Sequence, residues 1–500
     1  MLFADAKILA LVGIVLIAIL LRKYLQTQDP SLRFPVVGDA KTLDIRAALE
    51  EGNRKYPNSS WRLPLPDPIV IIPRWAAGEI KSLAENKISL NKEIFIRMLG
   101  RFTMLGEDDD EMVAVVKQDL TRALPNLFET IVDEVKFGLN NILRQGASKE
   151  TEPQELSLYE NMARVIALVS GRIFVGLPLS RDEHWIYSSI TYTSEGVTVA
   201  ESPVLRPYSP FVRWLISPFL SQVRSLRKHQ AFIREKVKPL IADHLEKRQQ
   251  GTTEKRDSSN GKFLDWLLAR YKYEVDATRI ARDYLLVAAG AIPIASGLLS
   301  QVLLELATRP QHAQTLRKEL NDVIGKTGWK HAALAELQHL DSFLKETQRL
   351  NPHVLAMMPR RVMSPITLSN GETLQPGTSV AVSNHSINTS AELYPKPLEF
   401  QPDRFYELRR TCSAQDQRKY LFSNSTLEFM NFGYGTHTCP GRNFASDELK
   451  IIVAYLLSNY DFELVSKSKP DNWTLGIVQI PDPTAKLRFT KRAPIRELEI

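Results

Sequence analysis

The chain reads as mainly α with a small β region, one large domain behind an N-terminal anchor. Three observations carry this. Apolar residues recur at helical spacing from Gln154 to Ala307 and again after Asn443. Short β-type runs, bounded by Pro, Gly and Asn, appear near the N-terminus and beyond Pro359. No long polar linker divides the 500 residues. Hydrophobic content of 44% and charged content of 24% give an ordinary globular protein with material for a large core. A net charge of +7 suits a membrane surface or an acidic protein partner. No basic run is interleaved with aromatics, so a nucleic-acid partner is not expected. The two cysteines, Cys412 and Cys439, exclude a disulfide framework and favour a reducing compartment.

The elements follow in order. Ile8–Leu21 is an uninterrupted apolar run that would span roughly 21 Å as a helix. Leu2, Phe3, Tyr24 and Leu25 extend it, and Lys7, Arg22 and Lys23 can reach the two membrane surfaces. No small-residue cleavage site follows, so residues 1–30 are expected to be an uncleaved single-pass anchor and hinge. The paired basic residues after the run keep the rest, 31–500, in the cytosol. Polar Gln26–Pro35 reads as the hinge. Arg62–Pro73 reads as short strands about a turn. The acidic run Glu107–Glu111 reads as a solvated cap for a helix from Met112 to about Leu124, which carries Lys117. Leu156–Val175 reads as a long amphipathic helix, and Gln249–Lys262 as a loop.

Tyr284–Thr308 is apolar all round and so is expected to be buried on every side, with Ala289, Gly290 and Ala291 as small residues along it. Pro293 deletes a backbone donor in mid-helix and leaves the Ala289 carbonyl without its partner, which suggests a kink. The helical pattern continues from Leu298 to Lys318. In Asp341–Leu350, Glu346 and Arg349 share one face at i, i+3 spacing. Pro359–Val362, a hairpin turning at Asn370-Gly371, and Val380–Ser383 are β. Beyond Phe462 the alternation predicts β hairpins that approach a pocket near Leu475–Val478.

Phe432-Gly433-Tyr434-Gly435-Thr436-His437-Thr438-Cys439-Pro440-Gly441-Arg442 presents one cysteine just before a helix that starts near Asn443. The glycines allow a tight turn and the close approach of a flat partner. Helix-terminal N–H groups are expected to favour a thiolate at Cys439, the ligand that suits a haem iron in oxygen chemistry. Zinc is disfavoured, because His437 and Cys439 fall short of a ligand set.

Phe432-x-x-Gly435-x-His437-x-Cys439-x-Gly441 resembles the haem-binding signature of the cytochrome P450 family. The resemblance covers the chain after about residue 31 and implies the cytochrome P450 fold, with haem b between the Ala/Gly helix and the cysteine loop. It implies Cys439 as axial iron ligand. His437 and Arg360 become haem-propionate donors, as does Lys117 if it is not simply a surface lysine, and Phe432 and Gly433 become cofactor-loop residues. Glu346, Arg349 and Arg404 become a buried charge network supporting the loop. Ala289, Gly290 and Pro293 mark the distal helix. There the usual threonine region is replaced by Pro293-Ile294-Ala295, and a hydroxyl restored at Ala295 would mimic it. Water on the Ala289 carbonyl, or a substrate hydroxyl, is the expected substitute. The resemblance is to the fungal microsomal branch of secondary metabolism. It implies a monooxygenase of the endoplasmic reticulum membrane. Electrons from NADPH–cytochrome P450 reductase would drive oxidation of a hydrophobic small molecule, of terpenoid, indole diterpene or meroterpenoid type. The altered distal helix keeps open a haem-thiolate isomerase or dehydratase. A non-catalytic membrane-anchored haem protein is the reading outside enzymes.

Overall fold

Helices form wherever apolar residues repeat at helical spacing, and each buries its apolar face on its neighbours. In the computed structural model they include α1 (Thr121–Arg144), α2 (Leu158–Phe174), α3 (Glu183–Ala200), α4 (Ser221–Gln249), α5 (Ala277–Thr308), α6 (Pro310–Thr327), α7 (Gln338–Leu350), α8 (Arg404–Thr411) and α9 (Arg442–Asn459). The structure describes residues 29–493 other than 43, 108–109, 145–151, 207, 251–261 and 272–275. The anchor expected over residues 1–30 and most of the loop expected over 249–262 lie outside the described residues. One continuous core runs through Leu127, Ile166, Leu285, Val302, Phe343 and Ile452, joining α1, α2, α5, α7 and α9.

Strands are short. They comprise β1 (Trp61–Leu63), β2 (Ile69–Ile72), β3 (Ile88–Ser89), β4 (Gln154–Ser157), β5 (Ala356–Val362), β6 (Ile366–Thr367), β7 (Thr373–Leu374), β8 (Ser379–Ser383), β9 (Tyr460–Leu464), β10 (Trp473–Leu475), β11 (Val478–Ile480) and β12 (Lys486–Lys491). A five-stranded sheet has the order β1-β2-β8-β5-β3, and a three-stranded one β4-β12-β9. The expected hairpin pairs β6 with β7, and Gly371 takes its left-handed conformation at φ +86°. In β5 the pairing with β8 shifts between Met357 and Arg360, which leaves Met358, Arg360 and Val362 on the buried face.

Several boundaries differ from the sequence expectations. The second half of the hinge docks: Pro30–Arg33 is a 3₁₀ turn with Ser31 and Phe34 buried. Leu156 and Ser157 lie in β4, pairing with β12, because a C-terminal strand supplies backbone partners that no local pattern reveals. The helix after it is amphipathic as expected, burying Met162, Val165, Ile166 and Val169 while Glu160, Asn161, Arg164 and Arg172 lie on the less covered side. The helix bearing Lys117 has a π-helical segment, Val115–Leu120, between Asp110–Ala114 and α1. The acidic run is not simply solvated, since Glu107 and Glu111 pair with Arg282 and Arg279 of α5 at 3.0 and 3.2 Å. The helix expected to continue through Lys318 stops at Thr308, because Pro310 suits the first turn of a new helix and cannot continue the old one. Pro293 does not end α5, whose packing on α2, α3 and α4 holds it helical through the missing bond.

Candidate active site

The cysteine loop is built from its own backbone. Cys439 N donates to the Phe432 carbonyl at 2.7 Å, and Gly433 N to the Met430 carbonyl at 2.7 Å. Phe432 is buried, its ring edge-on to Phe422 at 5.3 Å. Gly433 and Gly435 have φ of +76° and +79°. A Cβ on Gly433 would sit 3.0 Å from the His437 carbonyl, and one on Gly435 would collide with the Lys81 backbone. The His437 carbonyl and the Lys81 chain occupy the room beside these two glycines.

Cys439 is partly exposed at its surface yet lies deep in the fold, just ahead of α9. Burial raises the pKa of its thiol, and the Gly441 and Arg442 backbone N–H groups and the Arg442 charge only partly oppose this. The helix-terminal N–H groups thus act in the expected direction, against the burial of the thiol. A cation at the sulfur is what deprotonates such a thiol.

Arg360 and His437 come together although they stand on β5 and on the loop. Burial pushes the Arg360 guanidinium down to about 10, with Glu85 opposing. His437 Nε2 lies 2.8 Å from Glu85 Oε1. Burial lowers the His437 pKa first and the Arg360 charge second, against the pull of Glu85. Glu85, distant in sequence and without a local motif, was not legible beforehand. Lys117 is exposed, and its neighbour Val116 would touch a Cβ on Gly441 at 3.6 Å. The Lys117 segment therefore passes against the start of α9.

The charge network forms. Glu346 accepts Arg349 Nε and Nη2 at 2.8 Å each, and Arg404 Nε at 3.2 Å. Both side chains of the Glu346–Arg349 pair are fully buried. Arg349 Nη1 also donates to the Asn388 and Pro397 carbonyls at 2.6 Å each, and Arg404 Nη1 to Pro395 at 2.7 Å. The link to the cysteine loop runs through asparagines. Asn388 and Asn384 donate to Asn431 Oδ1 at 3.2 and 2.8 Å, one residue before Phe432. Lys345 is buried beside this network, donates to the Leu421 carbonyl at 2.9 Å and lies 3.8 Å from the Phe429 ring centroid.

α5 is not covered on every side. Gly290 is exposed, and a Cβ there would meet nothing within 4 Å. Ile294, one turn on, is 39% exposed, whereas Ala295 is buried at 7%. A hydroxyl facing the open side would thus belong at 294 rather than 295. Ala289 and Pro293 flank this opening and are half-buried.

These features suit a planar iron macrocycle with carboxylate arms. They offer a reachable sulfur on a rigid loop, a cationic arginine beside a histidine that can donate a hydrogen bond, and a helix face where a missing side chain leaves open space. A thiolate sulfur, arginine and histidine are the right donors for iron and carboxylate respectively.

The cytochrome P450 family model matches residues 100–489. The cytochrome P450 monooxygenase gliF of Aspergillus fumigatus is 33% identical over 473 residues, covering 92% of each chain. Cytochrome P450 monooxygenase ascG of Acremonium egyptiacum is 30% identical over 515 residues, covering 96% of this chain and 95% of its own. The retinoic acid-bound cyanobacterial CYP120A1 shares the fold with a TM-score of 0.68 at 17% identity, covering 92% of this chain and 100% of that one. The chain belongs to the cytochrome P450 family and is a monooxygenase whose cofactor is a cysteine-ligated haem.

Proposed function

We propose that Cys439 is the iron ligand and that the site oxidises a hydrophobic small molecule with dioxygen and NADPH-derived electrons. When bound, the haem supplies reductive activation of dioxygen. Arg360 and His437 bind its carboxylates, with Lys117 from the π-helical segment. Gly433 and Gly435 hold the loop shape that aims the sulfur, and Glu346, Arg349 and Arg404 keep the loop rigid through Asn388 and Asn431. The open face at Gly290 and Ile294 receives the substrate against apolar side chains that exclude water. The observation that carries the reading is the partly exposed Cys439, fixed by its backbone bond to Phe432.

The substrate is a terpenoid-type intermediate of fungal secondary metabolism, supported by the apolar character of that face and by resemblance to the fungal branch. Electrons come from a membrane-bound NADPH-dependent reductase, an acidic partner for which the +7 charge is suited. Residues 1–30 anchor the chain in the endoplasmic reticulum membrane, with 31–500 as the cytosolic haem domain. An exposed apolar group, Phe211, Trp214, Leu215 and Phe219 at 52–79% exposure, supports a second membrane contact.

The deciding experiment is the difference spectrum of the reduced, carbon-monoxide-bound protein beside Cys439→Ala. A thiolate-type Soret band that vanishes in the variant is expected. Product analysis with NADPH and reductase follows. A histidine-type band, or no haem at all, would remove Cys439 from this role.

A further inference from the structure

A cleft of about 210 Å³ lies between α4 and α5, away from the cysteine loop. Arg227, Gln230 and Arg234 of α4 line one wall, Thr278 and Ala281 of α5 another, and Met104 adds an apolar contact. One water needs about 10–15 Å³ of such space, so the cleft has room for a much larger group. Arg227 and Arg234 are two helical turns apart, which puts both guanidiniums on one face of α4.

No acidic residue lines the cleft. Arg227 is exposed and donates to a neutral partner, Ser217 Oγ, at 3.3 Å, and no carboxylate among the described residues pairs with it. Arg234 Nε lies 3.7 Å from Glu235 Oε1, but Lys238 Nζ holds that carboxylate at 2.8 Å. Asp276, the other acid near Arg234, caps α5 by accepting from Thr278 N at 3.0 Å. Two guanidiniums whose donors are largely unfilled, facing one cleft, attract an anion. Their planar N–H forks match the oxygens of a phosphate.

The cleft adjoins the exposed apolar group described above. Ser217, the acceptor for Arg227, begins the turn Ser217–Phe219 and donates to the Trp214 carbonyl at 3.0 Å. Trp214 and Phe219 are 52% and 79% exposed. Apolar side chains that enter a bilayer bring the basic residues behind them to the level of the headgroups. We propose that Arg227 and Arg234 bind the phosphate of an anionic lipid whose headgroup is a phosphomonoester, as in phosphatidic acid. The lipid source rests on the proposed membrane contact at Phe211–Phe219. The arginine pair adds to that contact a choice among lipids by headgroup charge.

The test titrates the full-length haem-loaded protein, in neutral detergent, with short-chain phosphatidic acid, with phosphatidylcholine of the same chain length and with inorganic phosphate. Calorimetry is expected to show saturable binding of phosphatidic acid, one per chain, roughly tenfold or more tighter than of phosphatidylcholine. Arg227→Gln with Arg234→Gln weakens it by roughly tenfold or more. Arg224→Gln with Lys228→Gln removes the same charge from exposed positions of α4 outside the cleft and leaves the binding unchanged. The haem spectrum of both double variants matches the wild type, which shows that they fold. An equal loss in the two double variants overturns the proposal, because diffuse charge would then account for the binding. Equal affinity for phosphatidylcholine also overturns it. Inorganic phosphate that binds as tightly as the lipid overturns it too, by making the cleft a site for a free anion. The titration needs no bilayer at the apolar group, so the cleft and the membrane contact fail separately.

Discussion

At Gly435 the left-handed backbone and the neighbouring Lys81 chain leave room for a hydrogen and nothing more. The same economy recurs at single residues through the site, where burial rather than local sequence sets the chemistry. Glu448 on α9 shows it with a measurable consequence. Burial raises its carboxyl to about 8, although Ser170 Oγ donates to it at 3.4 Å. The folded chain holds this proton up to about pH 8, while the unfolded chain releases it above about 4.5. Between these values the folded state binds more protons, so this residue's contribution to stability falls as pH rises. Glu448→Gln is expected to be more stable than the wild type near pH 7.5 by on the order of 4 kcal/mol, with the gap closing near pH 4.5. Denaturant titrations at the two pH values check this. A gap of the same size at both would mean that packing, not ionisation, distinguishes the variants.

Among elements, α7 does the most organising. Its Glu346 and Arg349 take up the charge of Arg404 on α8 and the carbonyls of residues 388–397, and Asn388 carries the hold on to Asn431. Glu346→Gln leaves two buried guanidiniums without a counter-charge. Removing one partner of a buried pair typically costs about 3–5 kcal/mol. The expected result is a lowered melting temperature and a smaller haem-bound fraction after purification. Lys396→Ala removes a surface pair with Glu399, whose lysine is 74% exposed, and should leave the melting temperature close to that of the wild type. If both substitutions had the same small effect, the network would not be what holds the loop.

At the scale of the whole molecule, Phe211, Trp214, Leu215 and Phe219 bring four exposed large apolar side chains within nine residues. Each large apolar side chain withdrawn from water contributes about 1.5–3 kcal/mol. A chain lacking residues 1–28 is therefore expected to bind phosphatidylcholine vesicles still. The double variant Trp214→Ser and Phe219→Ser should weaken that binding by roughly 100-fold. Vesicle flotation measures both. Equal flotation of the two proteins would assign the patch to something other than lipid.

Much of this protein was written in local patterns. Helical spacing located α5, α7 and α9, and Asn370-Gly371 located a hairpin, because periodicity and turn chemistry act over a few residues. The cysteine motif and the Glu346–Arg349 pair were equally legible, since a loop and one helix face are short-range objects. What could not be read there came from distant chain. β4 exists because β12 arrives beside it, and α5 passes through Pro293 because its neighbours hold it. Glu85 meets His437, and Ile294 rather than Ala295 faces the open side, through packing that no single stretch encodes. The thiol of Cys439 shows the division most sharply. Its position before a helix predicted N–H groups that favour a thiolate, and they do lower its pKa, whereas the desolvation that raises it is a property of everything around it.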